Sequence, residues 1–297
     1  MTATALLSEA GGVLAAAGVP SPEWDAERLL RHVLGCDRAA LLANPDRVVA
    51  APEAERLRAL VRRRASREPL QYVLGVAAFW KSEFVVTPAV LIPRPETELL
   101  VETALELVKG VERPVIVDVG TGSGCIALSI AAEREDAEVH ATDMSAPALQ
   151  VAFQNAQRLG LEGRVTFHEG QILEPVTGLE VDIVVSNPPY VDPRDLETLA
   201  PEVRDHEPPE ALFAPGDALS IYRRLVPAAA AALREGGALA VEISPFVPSA
   251  VTRLFVEAGF EVPAVRYDLA GRPRVVCSHR SRRPSAARPV RPEVESE

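Results

Sequence analysis

Apolar positions change their spacing twice along the chain. Up to about residue 70 they recur every three to four residues, the period of an α-helix packed on one face. The alanine-rich start, Met1 to Pro20, is interrupted by Glu9 and reads as an amphipathic helix. Ser21-Pro22 predicts the next helix start, with Ser as N-cap and Pro in the first turn. From there Ala26, Leu29, Leu30, Val33 and Leu34 recur at helical spacing until Gly35. A further helix starts near Pro52 and carries Leu57, Leu60 and Val61 on one side. Residues 1–70 are therefore expected to form a helical domain. Residues 71–95 change character: Gly75 is followed by Ala77-Ala78-Phe79-Trp80 and then Glu83-Phe84-Val85-Val86, which predicts a β-hairpin and a linker.

From 96 to 279 short apolar runs alternate with helical patterns. Strands are expected at 114–119, 138–142, 165–169, 181–186, 238–243, 261–266 and 274–277. That alternation predicts an α/β fold, a doubly wound and mainly parallel sheet. The last two strands leave no room for a helix between them. A tight turn at Asp268-Leu269-Ala270-Gly271 makes one of them antiparallel. Residues 280–297 are rich in Arg, Pro, Ser and Glu, and are expected to be a disordered, functionally silent tail.

Composition narrows the class without choosing a function. The chain has 297 residues, 47% hydrophobic and 25% charged, the balance of an ordinary soluble protein. No apolar run is long enough to span a bilayer, and the N-terminus lacks the basic start of a secretory signal. A cytoplasmic protein with no membrane partner is the expectation. The three cysteines, Cys36, Cys125 and Cys277, are scattered, which argues against a disulfide framework. No Cys or His spacing suggests a metal. The net charge of −11 argues against a duplex-binding face. The one basic run, Arg62-Arg63-Arg64 with Arg58 and Arg67, reads as a solvated helix face.

Two motifs carry chemistry. Val115 to Val119 is a short buried strand that runs into Gly120-Thr121-Gly122-Ser123-Gly124. Glycines there let a ligand lie against bare backbone. A dinucleotide fingerprint would place its third glycine at 125, which is Cys125. The spacing is instead G-x-G-x-G with Asp118 two residues ahead, as in the first motif of class I methyltransferases. A second strand ends at Asp143, where an acid would accept both hydroxyls of a ribose.

The apolar strand Ile183 to Ser186 runs into Asn187-Pro188-Pro189-Tyr190. As fourth strand of a doubly wound sheet it would lie beside the first and open next to the glycine loop. A planar amide or amino nitrogen is a weak nucleophile because its lone pair is delocalised. The Asn187 side-chain oxygen and the Pro188 carbonyl can both accept from one NH2 group and fix it for attack. The prolines lock the backbone, and Tyr190 would wall the planar group. Positioning supplies the acceleration, and the proton can leave after transfer.

These motifs look like the amino-group methyltransferases with an (N/D)PP(Y/F) signature. Gln71-Tyr72-x-x-Gly75, Phe79-Trp80 and Val90 to Glu98 narrow the likeness. Together with Asp25-Ala26-Glu27, Leu29-Leu30 and Val33-Leu34-Gly35 they closely resemble the release-factor glutamine N5-methyltransferases, the PrmC/HemK family. The resemblance runs from about Ser21 to Ser278. It implies methylation of the glutamine amide in the Gly-Gly-Gln loop of peptide-chain release factors, with S-adenosylmethionine as donor. It places Asp118, Gly120, Thr121, Gly122, Ser123, Gly124, Asp143, Gln171 and Asn187 around the donor. Asn187, Pro188, Pro189 and Tyr190 would hold the glutamine, with Phe79, Arg94 and Glu98 closing over the pocket. The helical domain would grip the release factor. One departure stands out: where the family often has an acid near the adenine, this chain has Gln171, followed by Ile172. An N6-adenine DNA or RNA methyltransferase shares the catalytic motif, and a ribosomal-protein glutamine methyltransferase would share the catalytic site.

Overall fold

The computed structural model describes residues 1–214 and 216–281; most of the expected tail, 282–297, lies outside them. The first layer is helical: α1 (Ala3–Ala16), α2 (Pro22–Leu34), α3 (Arg38–Ala43) and α4 (Ala51–Ala65). Leu6 and Leu14 of α1, Leu29 and Leu30 of α2 and Leu57 of α4 meet in one core. Ser21 flanks α2 as expected but makes no side-chain cap bond, and Gly35 ends the helix in the left-handed region.

The connector is more structured than a linker. A short helix α5 (Leu70–Leu74) crosses the boundary expected at residue 70, and the hairpin β1 (Val76–Phe79) and β2 (Ser82–Val85) follows. Phe79 and Phe84 pack edge to face inside the main core. Asn155 ties the hairpin down, its side chain bonding both the N–H and the carbonyl of Val85.

The remaining elements are α6 (Glu98–Leu107), β3 (Val115–Val119), α7 (Cys125–Glu133), β4 (Glu138–Asp143), α8 (Ala146–Leu159), β5 (Val165–Glu169) and β6 (Val181–Ser186). Then come α9 (Pro201–His206), α10 (Pro209–Leu212), α11 (Ser220–Ala232), β7 (Leu233–Glu242), α12 (Pro248–Glu257), β8 (Ala264–Tyr267) and β9 (Pro273–His279). The seven-stranded sheet runs β5-β4-β3-β6-β7-β9-β8. Strands β3 to β7 pair in parallel, and β9 is antiparallel to both neighbours. The strand reversal predicted from the turn at 268–271 is therefore β9.

Period-two alternation sorts the strand residues to two faces. Ile116, Ile183, Val185, Ala238 and Ala240 join α6, α7 and the hairpin in one core. Val117, Val184, Leu239 and Val241 join α11 and α12 in the other. Both faces are buried, so these strands read as nearly continuous apolar runs.

The basic run is not simply a solvated face. Arg64 is buried and bonds Asp25 at 2.7 Å, while its Nη2 reaches Glu202 of α9 at 2.9 Å. Arg67 takes the other oxygen of Glu202 at 2.7 Å. Opposite charges desolvate together here, which an unpaired arginine could not do. The sequence expectation is corrected for these two residues: they join the helical layer to the α9 segment.

This clamp has a pH signature. Burial works to raise the Glu202 carboxyl, but hydrogen bonds from Arg67 and Arg64 outweigh it and hold it down at about 2. The folded value lies below the unfolded value of about 4.3. The stabilisation is therefore complete above that unfolded value and is lost as pH falls toward 2. A Glu202→Gln variant should melt below wild type at neutral pH, with the gap closing across that acidic window. A gap in melting temperature that stays constant with pH would contradict the clamp.

Candidate active site

A cavity of about 280 Å³ opens at the carboxyl ends of the central strands. This is the switch point, where β4 and β6 flank β3 and the crossovers leave in opposite directions. Its walls come from four strand ends: Gly120 to Ser123 after β3, Asp143 at the tip of β4, Gly170 to Ile172 after β5, and Asn187 to Pro189 after β6. Arg94 and Thr97 close one side, and Pro208, Glu210 and Ala211 of the α9–α10 segment another.

The glycine loop is built to expose backbone. A Cβ placed on Gly120 or Gly122 would meet nothing within 4 Å, so their bare backbone borders open space. Gly124 has a different reason. At φ +80° its Cβ would sit 3.1 Å from the Ala152 Cβ, so it lets the start of α7 approach α8. Asp118 does not reach the cavity. It is fully buried beneath the loop, where its carboxylate accepts from the Thr121 hydroxyl at 2.7 Å and the Ala127 N–H at 3.2 Å. Burial pushes its pKa up to about 7, against those two donors. Asp118 thus shapes the loop from below.

Asp143 lines the cavity and accepts Gly122 N–H on one oxygen and Ser145 N–H on the other, both at 2.9 Å. Burial raises its pKa, opposed by backbone N–H groups. A carboxylate has about four lone-pair sites, so both oxygens can still take a ribose hydroxyl. The capping of α8 falls to Ser145, whose hydroxyl accepts from Ala148 N–H. Bare glycine backbone beside such an acid fits S-adenosylmethionine.

Gln171 lines the cavity, but its side-chain oxygen is already engaged by Arg224 Nη2 at 2.6 Å. A neutral acceptor thus sits paired with a cation at this end of the cavity. Ile172 beside it has φ +52°, a strained conformation for a β-branched residue, and Thr142 holds it by bonding its carbonyl at 2.8 Å.

At the other end, Asn187 donates through Nδ2 to the Thr97 hydroxyl at 3.2 Å. Pro188 and Pro189 line the cavity beside it. Three expected substrate contacts lie elsewhere. Tyr190 is half-buried against the core and donates its phenol to Glu242 Oε1 at 3.1 Å. Phe79 is only 1% exposed. Glu98 accepts from Trp80 N–H at 2.8 Å and so fastens the hairpin turn. Large aromatics fill the core where a hairpin meets a sheet, and that demand claims Phe79. Arg94 does line the cavity, paired with the buried Glu207 at 2.6 Å.

Two residues behind the motif escaped sequence reasoning. Thr97 sits within the run from Val90 to Glu98, where a threonine carries no signal of its own. Glu242 had one signal: an acid inside an otherwise apolar strand.

Residues 5–75 match the family described as PrmC N-terminal domain, and residues 95–203 the methyltransferase small domain. The release factor glutamine methyltransferase of Moorella thermoacetica is 44% identical over 94% of this chain and 99% of its own. That of Deinococcus radiodurans is 43% identical over 93% and 98%, and that of Geobacter sulfurreducens 44% over 84% and 86%. Among solved structures, the hMettl16 catalytic domain in complex with a MAT2A 3′UTR hairpin superposes with a TM-score of 0.55 at 16% identity, covering 78% of this chain and 82% of that one. A T. thermophilus 16S rRNA methyltransferase in complex with AdoMet and guanosine gives 0.52 at 22%, covering 70% and 50%. At those identities the structures speak for the fold alone. The curated relatives say more, because their likeness runs through the helical layer and the sheet together: the chain belongs to the family of release factor glutamine methyltransferases.

Proposed function

We propose that this protein transfers a methyl group from S-adenosylmethionine to the side-chain amide nitrogen of the glutamine in the Gly-Gly-Gln loop of peptide-chain release factors, in the cytoplasm. The observation that carries this reading is Asn187 at the rim of the glycine-lined cavity, with its NH2 group tied back to Thr97. That arrangement supports an Oδ1 free to accept from an incoming amide. S-adenosylmethionine bound in the cavity would supply an electrophilic methyl group.

The protein's own part is binding and orientation. Asp143 and the glycine loop hold the nucleoside end. Asn187 and the Pro188 carbonyl fix the NH2 of the glutamine and draw its protons as its lone pair is spent. No general base is asked for before transfer, so positioning carries the rate. Residues 1–70 would recognise the release factor, 71–95 connect, and 96–279 perform the transfer. The exposed face Trp24, stacked under Arg28 and Arg38, belongs to that helical layer.

Intact-mass analysis of an unmethylated release factor, after incubation with this protein and S-adenosylmethionine, tests the reading. A gain of one methyl mapped to the Gly-Gly-Gln glutamine is expected. No gain with donor binding intact would move the substrate to a ribosomal protein or a nucleic acid. The donor site has its own test. Asp143→Ala should weaken S-adenosylmethionine binding about tenfold, the scale of about 1.4 kcal/mol for lost hydroxyl contacts to a charged group. Unchanged affinity by calorimetry would remove Asp143 from the ribose role.

A further inference from the structure

Behind the Asn187 turn lies a closed chain of hydrogen bonds that the catalytic motif does not include. Glu242, at the end of β7, is 1% exposed, and Thr97 is 2% exposed. The Thr97 hydroxyl donates to Glu242 Oε2 at 2.6 Å. Tyr190 donates to the other oxygen, Oε1, at 3.1 Å. Tyr222 braces the same residue from the main chain, bonding the Glu242 carbonyl at 2.7 Å. Burial raises the Glu242 pKa, and the two hydroxyl donors work against that.

A hydroxyl has one proton to give. With Glu242 ionised, its carboxylate takes the one on Thr97, so Thr97 Oγ1 can only accept from its remaining neighbour. That neighbour is Asn187, 3.2 Å away, and only the NH2 end of its amide can donate. The amide oxygen must then face the opposite way. Left alone, an asparagine amide has two flips of similar shape. One of them would set NH2 against the NH2 of the substrate, donor against donor.

We propose that Thr97 is a positioning residue for methyl transfer: aimed by the buried carboxyl of Glu242, its hydroxyl fixes the side-chain amide of Asn187 with Oδ1 turned to the cavity. The same carboxyl ties down Tyr190, so both ends of the Asn-Pro-Pro-Tyr turn hang from one acid. The catalytic part of this inference rests on the amide-methylation reading above; the orientation itself does not.

The test uses the full chain and two substitutions at one position. Thr97→Val keeps shape and removes the hydroxyl; Thr97→Ser keeps the hydroxyl. Thr97→Val is expected to lower kcat on an unmethylated release factor about tenfold, the value of one lost hydrogen bond. The loss should fall on kcat more than on the Kd for S-adenosylmethionine, since the lost hydroxyl bonds Asn187 and Glu242, and Thr97→Ser should recover most of it. The orientation is read separately by hydrogen exchange of the Asn187 side-chain NH2, identified by ¹⁵N NMR as the signal missing in Asn187→Ala. Exchange should be slow in wild type and faster in Thr97→Val. Wild-type kcat in Thr97→Val, equal losses in both variants, or an exchange rate indifferent to the substitution would each overturn the proposal. A Glu242→Gln variant with unchanged kcat and exchange would overturn the part given to the carboxyl. If wild type methylates no release factor, the substrate reading fails, while the exchange measurement still decides the orientation.

Discussion

Asn187→Ala is expected to bind S-adenosylmethionine as wild type does and to transfer methyl groups on the order of a hundred- to a thousandfold more slowly, the range seen when one preorganised transition-state hydrogen bond is deleted. The side chain borders the cavity, and among the described residues its one hydrogen bond is the one its NH2 group donates to Thr97. On the proposed reading its oxygen accepts a hydrogen bond from the attacking amide. That contact strengthens as the nitrogen gives up its lone pair, so its loss should fall on kcat and on kcat/KM together. Calorimetry with the donor and single-turnover rates with a release factor separate the two effects. A variant within about tenfold of wild type would remove Asn187 from the reaction, because that is no more than an ordinary hydrogen bond supplies.

The second large effect is on stability. Arg64→Met should destabilise the folded chain by about 3–5 kcal/mol, the usual cost of removing one partner from a buried ion pair. Methionine fills much of the arginine's volume, so packing is largely kept. What remains is Asp25 without its partner and Glu202 with one arginine in place of two. Adding Asp25→Asn should return part of the loss, because it removes the stranded charge. Urea unfolding of the two variants beside wild type decides it. A single-variant loss below about 1 kcal/mol, the surface-pair value, would mean that water reaches the pair. Arg58, whose partners Glu9 and Glu55 are open to solvent, should show a much smaller effect.

What could be read ahead follows from how each signal arises. The strands β3 and β6 were legible because a parallel strand buried on both faces must be an apolar run. The glycine loop and Asn187-Pro188-Pro189 were legible because each asks for backbone geometry that few residues provide. Strand β7 starts at Leu233, earlier than expected, because Arg234 to Gly237 extend it with residues that carry no apolar signal. The helices α9 and α10 are too short and proline-rich to show a period. They are held by Glu202 and Glu207 through partners far away in sequence. The same distance hid the fate of Arg64, whose second partner lies 138 residues on. Tyr190, Phe79 and Glu98 show the opposite error. A motif names residues that must be present near a site, and some of them serve by holding the others.

The cavity walls are drawn from strand ends that meet only when β6 docks against β3, a pairing that joins Ile116 to Ile183 across the whole intervening crossover. Loop closure over such separations is slow, whereas α1 packs on α2, the next helix of the chain. That helix pair can therefore gather early, while the cavity has no walls until the centre of the sheet is complete. Appearance of donor binding during refolding would time that last event, and saturating donor would draw the folding equilibrium toward it by mass action.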